Sequence, residues 1–464
     1  MVKISLIGAG SVVFSKQLMV DILGFPELSD CCFCLEDIDP ERLALTEKVA
    51  RMFIKQRNGR ASIETTHSID EAVKGADFII NMVQVGGFAS TRIDFEIPEK
   101  YGMEQTIADS MSVGGIFRAL RTMPVLDQLC QAILTYSPHA VLLNYTNPMA
   151  MLSLYVRKKY PEVNYVGLCH SVQTTSKQLA LYLNIPYDEL QYKVAGINHQ
   201  AWFLELKQNG EDLYPRLNEL KQKIDEDPSF VPEHLYEYKG NDSWFRENFK
   251  ESAAETFETD KVRFEMLARL GYYVTESSEH NAEYCPYFLK DQKLIDRYKI
   301  PVNEYIRRCR LILKEFEEVK KTIKSGEELH VDTSQEYAGF IIHSMVSGEK
   351  STINGNVLNT GLITNLPTSC CVEVPCLVDR NGVQPTYIGE LPEQLAAYNR
   401  TNISVQMLTV DAVLENDKQH IYHAVMLDPL TVSMVRLDDM KPMVDEMFEA
   451  HGKMIPYFMK RGNV

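Results

Sequence analysis

Ile4-Ser-Leu-Ile-Gly8-Ala-Gly10-Ser11 decides how the chain reads. An apolar strand runs into a glycine turn, and a helix is expected from near Ser15. Glycines let a backbone approach a pyrophosphate closely, and the unpaired amides at a helix amino terminus hold its charge. The third glycine of the usual dinucleotide fingerprint is absent, because Val13 stands in its place. Gly8, Gly10 and Ser11 are therefore candidate cofactor contacts whose weight depends on the second strand.

That strand is Cys32-Phe-Cys-Leu-Glu36-Asp37-Ile-Asp39, ending in carboxylates about where a ribose hydroxyl is held. Asp37 or Asp39 in that role favours NAD over NADP, whose extra phosphate is repelled; the plain alternative is that the acids cap the next helix. Asn81 and the stretch 84–87, after a later strand, are further candidates for lining the cofactor.

Apolar runs at 4–7, 32–35, 78–83, 141–143 and 165–168 alternate with helical patterns such as 40–56 and 118–136. That alternation predicts a parallel sheet covered on both faces, a doubly wound Rossmann-type α/β domain over residues 1–190. Beyond it, strand patterns at 192–195, 201–206 and 369–378 mix with helical patterns at 253–269, 302–322, 391–415 and 440–459, around a polar segment reaching about 249. Residues 191–464 thus read as a mixed α+β second domain.

A formal net charge of −16 argues against nucleic-acid binding, which needs Lys and Arg to neutralise phosphates. The ten cysteines form no paired framework and read as reduced and buried. No cleavage pattern and no apolar run of about 18 residues is found, so a cytoplasmic protein with no membrane partner is expected.

Cys169 and His170 adjoin at the end of a predicted strand, and His199 stands thirty residues on in Gly196-Ile-Asn-His199. Cys169 is a good ligand once deprotonated beside a cation, although buried cysteines are common. Asn147, in Asn144-Tyr-Thr-Asn147-Pro148, should project from the carboxyl edge of the sheet, where ligands bind; it is equally suited to capping a helix beginning at Pro148. Ligand softness alone predicts zinc for a Cys/His pair.

Together these stretches, with Gly114-Gly-Ile-Phe-Arg118-Ala-Leu-Arg121-Thr and Asn365-Leu-Pro367, resemble the NAD-dependent family 4 glycoside hydrolases over essentially the whole chain. Cys169-His170-Ser171-Val172 is similar to the melibiase-type α-galactosidase branch, and the fold implied is of the lactate and malate dehydrogenase-like superfamily. The resemblance implies a redox route. NAD takes hydride from C3 of the sugar, the C2 proton is removed, the glycosidic oxygen is eliminated, water adds, and the hydride returns. It further implies Mn²⁺ held by Cys169 and His199, a substrate hydroxyl held by Asn147, and His170 as the acid for the leaving group. Adjacent residues of an extended strand end point to opposite sides, which separates His170 from Cys169. For the C2 base, Asp260 and Tyr272 or Tyr273 are the candidates; Asp260 equally suits pairing with Arg263 at helical spacing, and the tyrosines suit packing. Asp109, Ser110 and the polar run Glu276-Ser-Ser-Glu279-His280 are noted near these motifs, and His280 is left outside the metal set.

The resemblance implies hydrolysis of terminal α-D-galactosides by a homo-oligomer, dimer or tetramer, with residues 191–464 serving substrate, catalysis and oligomerisation. An α-galacturonidase is the nearest alternative, its substrate carboxylate needing a cation such as Arg92, Arg118 or Arg263. Another family 4 glycosidase, a 2-hydroxyacid dehydrogenase and a non-enzymatic NAD sensor are the remaining readings.

Overall fold

The computed structural model describes residues 1–57, 59–238, 252–327, 329, 333–334 and 336–458. The end of the expected polar segment and residue 459 of the last expected helix lie outside them. Among the described residues, twelve strands form one sheet. They are β1 Lys3–Ile7, β2 Cys32–Glu36, β3 Ser62–Thr66, β4 Phe78–Asn81, β5 Val141–Asn144, β6 Asn164–Leu168, β7 Leu190–Ile197, β8 Gln200–Gln208, β9 Glu211–Asp212, β10 Ser351–Leu358, β11 Cys371–Asp379 and β12 Gly382–Pro385.

The first six strands are parallel in the order β3-β2-β1-β4-β5-β6, the doubly wound arrangement. Their central positions are continuous apolar runs because helices cover both faces: Ile4, Leu6, Ile7, Ile79, Ile80, Leu142 and Leu143 are fully buried. Each contributes about 1.5–3 kcal/mol by leaving water. The chain runs outward from β1 through β2 to β3 and then crosses back to β4 on the other side of β1, so the direction of winding reverses between β1 and β4 and the crevice for ligands opens at their carboxyl ends. Gly8 and Asn81 stand there.

The second half extends the same sheet. β10 pairs antiparallel with β6, β11 with β10, and β7 with β11. Gly167, Asn356, Glu373 and Gly196 therefore form one row across the sheet, linking the end of β6 to the end of β7. β7 and β8 are joined by Asn198 and His199 alone, so His199 is the tip of a tight hairpin.

Several boundaries differ from the sequence pattern for identifiable reasons. β3 escapes the pattern because it is an exposed, polar edge strand, and β10 because Asn354 and Asn356 sit buried inside it. The expected helix at 253–269 is two, Ala253–Glu258 and Lys261–Leu270, with Asp260 between them. The long helix expected from 118 begins earlier and is Ser112–Tyr136. All ten cysteines are free and buried. No described helix is long and apolar enough to cross a membrane.

Candidate active site

The glycine turn lies where the topology requires. Gly8 has φ +81, and a Cβ there would meet Val83 at 3.0 Å; a Cβ on Gly10 would lie 2.5 Å from Asp37 Oδ2. Gly10 N donates to that Asp37 oxygen at 2.7 Å, and Gly8 N to Glu36 Oε2 at 3.3 Å. The helix after the turn is Val12–Ile22, with no acid in its first turn and no side-chain cap from Ser11, which suits an anion at its amino terminus. Burial, with Asp37 beside it, raises the Glu36 carboxyl to about 7.

Asp39 takes the plain reading: its carboxylate accepts from Glu41 N and Arg42 N and caps the helix Pro40–Gln56. Asp37 alone of the two faces the glycine turn. Asn81, at the end of β4, is fully buried and donates to Asn144 Oδ1 at 2.7 Å and Thr146 Oγ1 at 3.3 Å, bracing the edge beside the crevice.

Cys169 comes directly after β6, and its Sγ lies 3.5 Å from His199 Nδ1. Two acids and a second histidine join them. Glu276 Oε2 is 3.8 Å from Cys169 Sγ and 3.5 Å from His199 Nδ1. His280 Nδ1 is 3.5 Å from Glu276 Oε1, while its Nε2 is 3.7 Å from Asp109 Oδ1. Donor atoms of Cys169, His199 and Glu276 all lie within 4.8 Å of one another, as do those of Asp109, His199 and His280.

Local structure brings these residues together. Val274 bridges to Trp202 of β8, and Thr275 N donates to Ala201 O at 2.9 Å, so the chain reaches Glu276 beside the His199 hairpin tip. Tyr284 clamps that tip, its hydroxyl accepting from His199 N at 2.8 Å and donating to Asn198 O at 3.1 Å. Glu283 accepts from the backbone N–H groups of Thr106, Ile107 and Ala108, tying the Asp109 loop to the short helix Ser278–Glu283. The loop packs tightly on the helix Ser112–Tyr136 because a Cβ on Gly114 would meet Ala108 at 2.7 Å, and one on Gly115 would meet Ser110 at 2.7 Å.

Asn147 is not a helix cap. The helix Met149–Lys159 starts after Pro148, and Asn147 Nδ2 instead donates to Asp109 Oδ2 at 2.8 Å, attaching it to the cluster. His170 begins the turn into the helix Ser171–Tyr182, so its direction comes from that turn and not from strand alternation. Its side chain is 39% exposed, unlike the buried cluster, and Nδ1 lies 3.7 Å from Glu336 Oε1.

Electrostatics separate the roles. Burial, with Glu276 and Glu373 nearby, pushes the Cys169 thiol well above its ordinary value, so it needs a cation to become a thiolate. Burial lowers His199 to about 4, keeping it in the neutral, ligating form, against the opposing pull of Glu276. Glu276 goes the other way: burial opposes ionisation, but His280, kept protonated against its own burial by Glu276 and Asp109, outweighs it and holds it at about 2. Burial likewise opposes the Asp109 charge, and His280 with Arg118 outweighs it, keeping that carboxyl well below the usual range. His199 Nδ1 is the ring nitrogen turned toward Cys169 Sγ and Glu276 Oε2, so a thiol, a neutral imidazole and a carboxylate converge from three separate segments. These donors fit a divalent cation, and the glycine turn with Asp37 fits a dinucleotide.

The candidates for the C2 base sit differently. Asp260 is buried, and its oxygens accept from Arg263 Nε at 2.6 Å and Nη2 at 2.5 Å, Tyr273 OH at 2.6 Å, Ser278 Oγ at 2.9 Å and Tyr182 OH at 3.1 Å. That is the ion-pair reading of the spacing. Tyr272 is half-buried and packs edge-on against Tyr214. Among the arginines weighed for a substrate carboxylate, Arg92 is exposed and paired with Glu96, and Arg263 is bound to Asp260. Arg118 contacts Asn147 O at 3.2 Å and Tyr305 OH at 3.1 Å.

Sequence reasoning missed Asp109, Glu276 and His280 as members of the cluster. The one available signal was the i,i+4 spacing of Glu276 and His280 in an unusually polar run, and that run lacks the apolar periodicity that reveals burial.

Residues 3–185 match the family described as Family 4 glycosyl hydrolase, and residues 194–431 match its C-terminal domain. An α-galactosidase of Bacillus subtilis (strain 168) is 42% identical over 99% of this chain and 100% of its own length. One of Rhizobium meliloti (strain 1021) is 33% identical over 98% of this chain and 89% of its own. An α-galacturonidase of Lachnoclostridium phytofermentans is 28% identical, covering 98% of this chain and 97% of its own length. Among solved structures, a 6-phospho-α-glucosidase from gut microorganisms in complex with NAD and Mn²⁺ superposes with a TM-score of 0.78 at 22% identity, covering 99% of this chain and 100% of that one.

Proposed function

Since the chain belongs to the family 4 glycosyl hydrolases, we propose that it is an α-galactosidase, cleaving terminal α-D-galactosides of the melibiose or raffinose type with NAD and Mn²⁺. The observation that carries this reading is the convergence of Cys169 Sγ and His199 Nδ1 at 3.5 Å, in the sheet whose first turn is Gly8 to Ser11. When bound, NAD supplies a hydride acceptor and donor, and Mn²⁺ a Lewis acid for the sugar oxygens.

The chain's own residues divide the remaining work. Cys169 and His199 hold the ion. Gly8, Gly10 and Ser11 present backbone to the pyrophosphate, Asp37 serves the ribose, and Asn81 stiffens the crevice edge. Asn147, its amide nitrogen fixed by Asp109, keeps its amide oxygen as an acceptor for a sugar hydroxyl. His170, the accessible histidine beside the cluster, donates its proton to the departing glycosidic oxygen. Asp260 is committed to Arg263 and Tyr272 to the Tyr214 ring, so we assign the C2 proton to neither.

We read the enzyme as cytoplasmic and homo-oligomeric, which gel filtration with light scattering tests for the second property. The activity is tested with a nitrophenyl α-galactoside and, in parallel, its galacturonide, each with and without NAD, Mn²⁺ and a thiol reductant. Hydrolysis of the galactoside only when both cofactors are present, with solvent deuterium entering C2 of the released galactose, is expected. Cofactor-independent turnover, or protium retained at C2, refutes the reading.

A further inference from the structure

Glu276 is held toward Cys169 and His199 by more of the fold than an incidental carboxylate needs. Its backbone is left-handed, φ +70, a conformation costly for any residue but glycine and retained only where surroundings impose it. Its N–H donates to Thr175 Oγ1 at 3.1 Å, and its carbonyl accepts from the buried Arg263 guanidinium and from Thr175 Oγ1. The result puts Oε2 at 3.5 Å from His199 Nδ1 and 3.8 Å from Cys169 Sγ, with those two 3.5 Å apart.

We infer that Glu276 is a third protein ligand of the ion, and that its carboxylate is what suits an otherwise soft Cys/His pair to Mn²⁺ over Zn²⁺. The inference rests on the reading of Cys169 and His199 as metal ligands. Ion-to-donor bonds of about 2.0–2.3 Å allow two donors of one ion to stand up to about 4.6 Å apart, and all three separations fall inside that limit. Charge argues the same way. A thiolate and a neutral imidazole leave a divalent ion with net positive charge in a buried site, whereas adding the Glu276 carboxylate neutralises it. Hardness does too, since thiolate selects zinc and carboxylate favours manganese. His280, against the other Glu276 oxygen and backed by Asp109, is then the outer partner that orients the carboxylate.

Mn²⁺ binding, read from the electron paramagnetic resonance signal of the free ion, tests this in the full-length protein as wild type, Glu276→Gln and Glu276→Asp. The Gln variant is expected to bind Mn²⁺ at least about 10-fold more weakly, with Zn²⁺ affinity falling less, so that preference shifts toward zinc. The Asp variant should recover part of the loss. Water-proton relaxation on the wild type decides the matter without any variant: a six-coordinate Mn²⁺ with three protein ligands carries about three waters or fewer, and with two it carries about four. Four waters on the wild type make Glu276 an outer partner only and overturn the inference. A wild type that binds no Mn²⁺ overturns the metal reading itself, whereas equal Mn²⁺ binding by wild type and Glu276→Gln overturns this inference alone.

Discussion

Replacing Asp260 by Asn removes one negative charge from a buried hub and little else. Arg263, 1% exposed, then keeps Thr175 Oγ1 at 3.1 Å, Gln178 Oε1 at 2.6 Å and the Glu276 carbonyl as acceptors, all of them neutral. Breaking a buried ion pair by neutralising one partner costs about 3–5 kcal/mol, because the other charge stays buried and uncompensated. The Asn amide also turns a donor toward groups that donate to Asp260, but these penalties share one network and do not add. In urea, followed by far-ultraviolet circular dichroism, the midpoint should fall by roughly 1 M. Hydrolysis should fall in step with the folded fraction and with displacement of the Glu276 backbone. The double variant Asp260→Asn with Arg263→Met removes both charges and should recover much of the stability, since a neutral pair of similar volume avoids the stranded cation. An Asp260→Asn protein that unfolds at the wild-type midpoint yet hydrolyses nothing refutes the reasoning and returns Asp260 to the role of free base. So does a double variant no more stable than the single.

Three other outcomes are expected. Gly10→Ala places a methyl 2.5 Å from Asp37 Oδ2 and should weaken NAD binding at least about 10-fold in a fluorescence titration; unchanged affinity removes the turn from the cofactor site. His170→Ala should slow a methyl α-galactoside by about 10²-fold or more but a nitrophenyl α-galactoside much less, because a good leaving group needs little protonation; equal losses in steady-state kinetics contradict the acid role. Burial raises Glu373 to about 8 from 4.5, so its stability contribution is complete below the unfolded value and lost as pH rises through the folded one. Metal-free wild type should therefore lose about 1.4 kcal/mol per pH unit from this residue between those values, and Glu373→Gln should lack the slope. Parallel profiles of denaturation midpoint against pH rule this out.

The parallel half of the fold was legible because its strands are buried on both faces and read as uninterrupted apolar runs, while Pro40–Gln56 carries both an amphipathic pattern and an Asp39 cap. β10 was not, since Asn354, Gly355 and Asn356 sit in the middle of the sheet, where polarity by itself suggests surface. The motifs brought Cys169, His199, Asn147 and His170 into view as candidates at element ends. They left open what each would face.

From the sequence alone came the glycine turn, the alternation of apolar strands with helices that marks a doubly wound domain, and the family resemblance. These depend on local period, spacing and composition, which a linear chain displays directly. Only the tertiary structure decided that Asp39 caps a helix, that Asn147 is held by Asp109, that Asp260 belongs to Arg263, and that Glu276 and His280 join Cys169 and His199. Burial and charge pairing set those roles, and both arise from residues far apart in the chain: Asp109, Cys169, His199 and Glu276 meet because β6, the β7–β8 hairpin, the segment running along β8 and the loop packed on Gly114 and Gly115 end at one place.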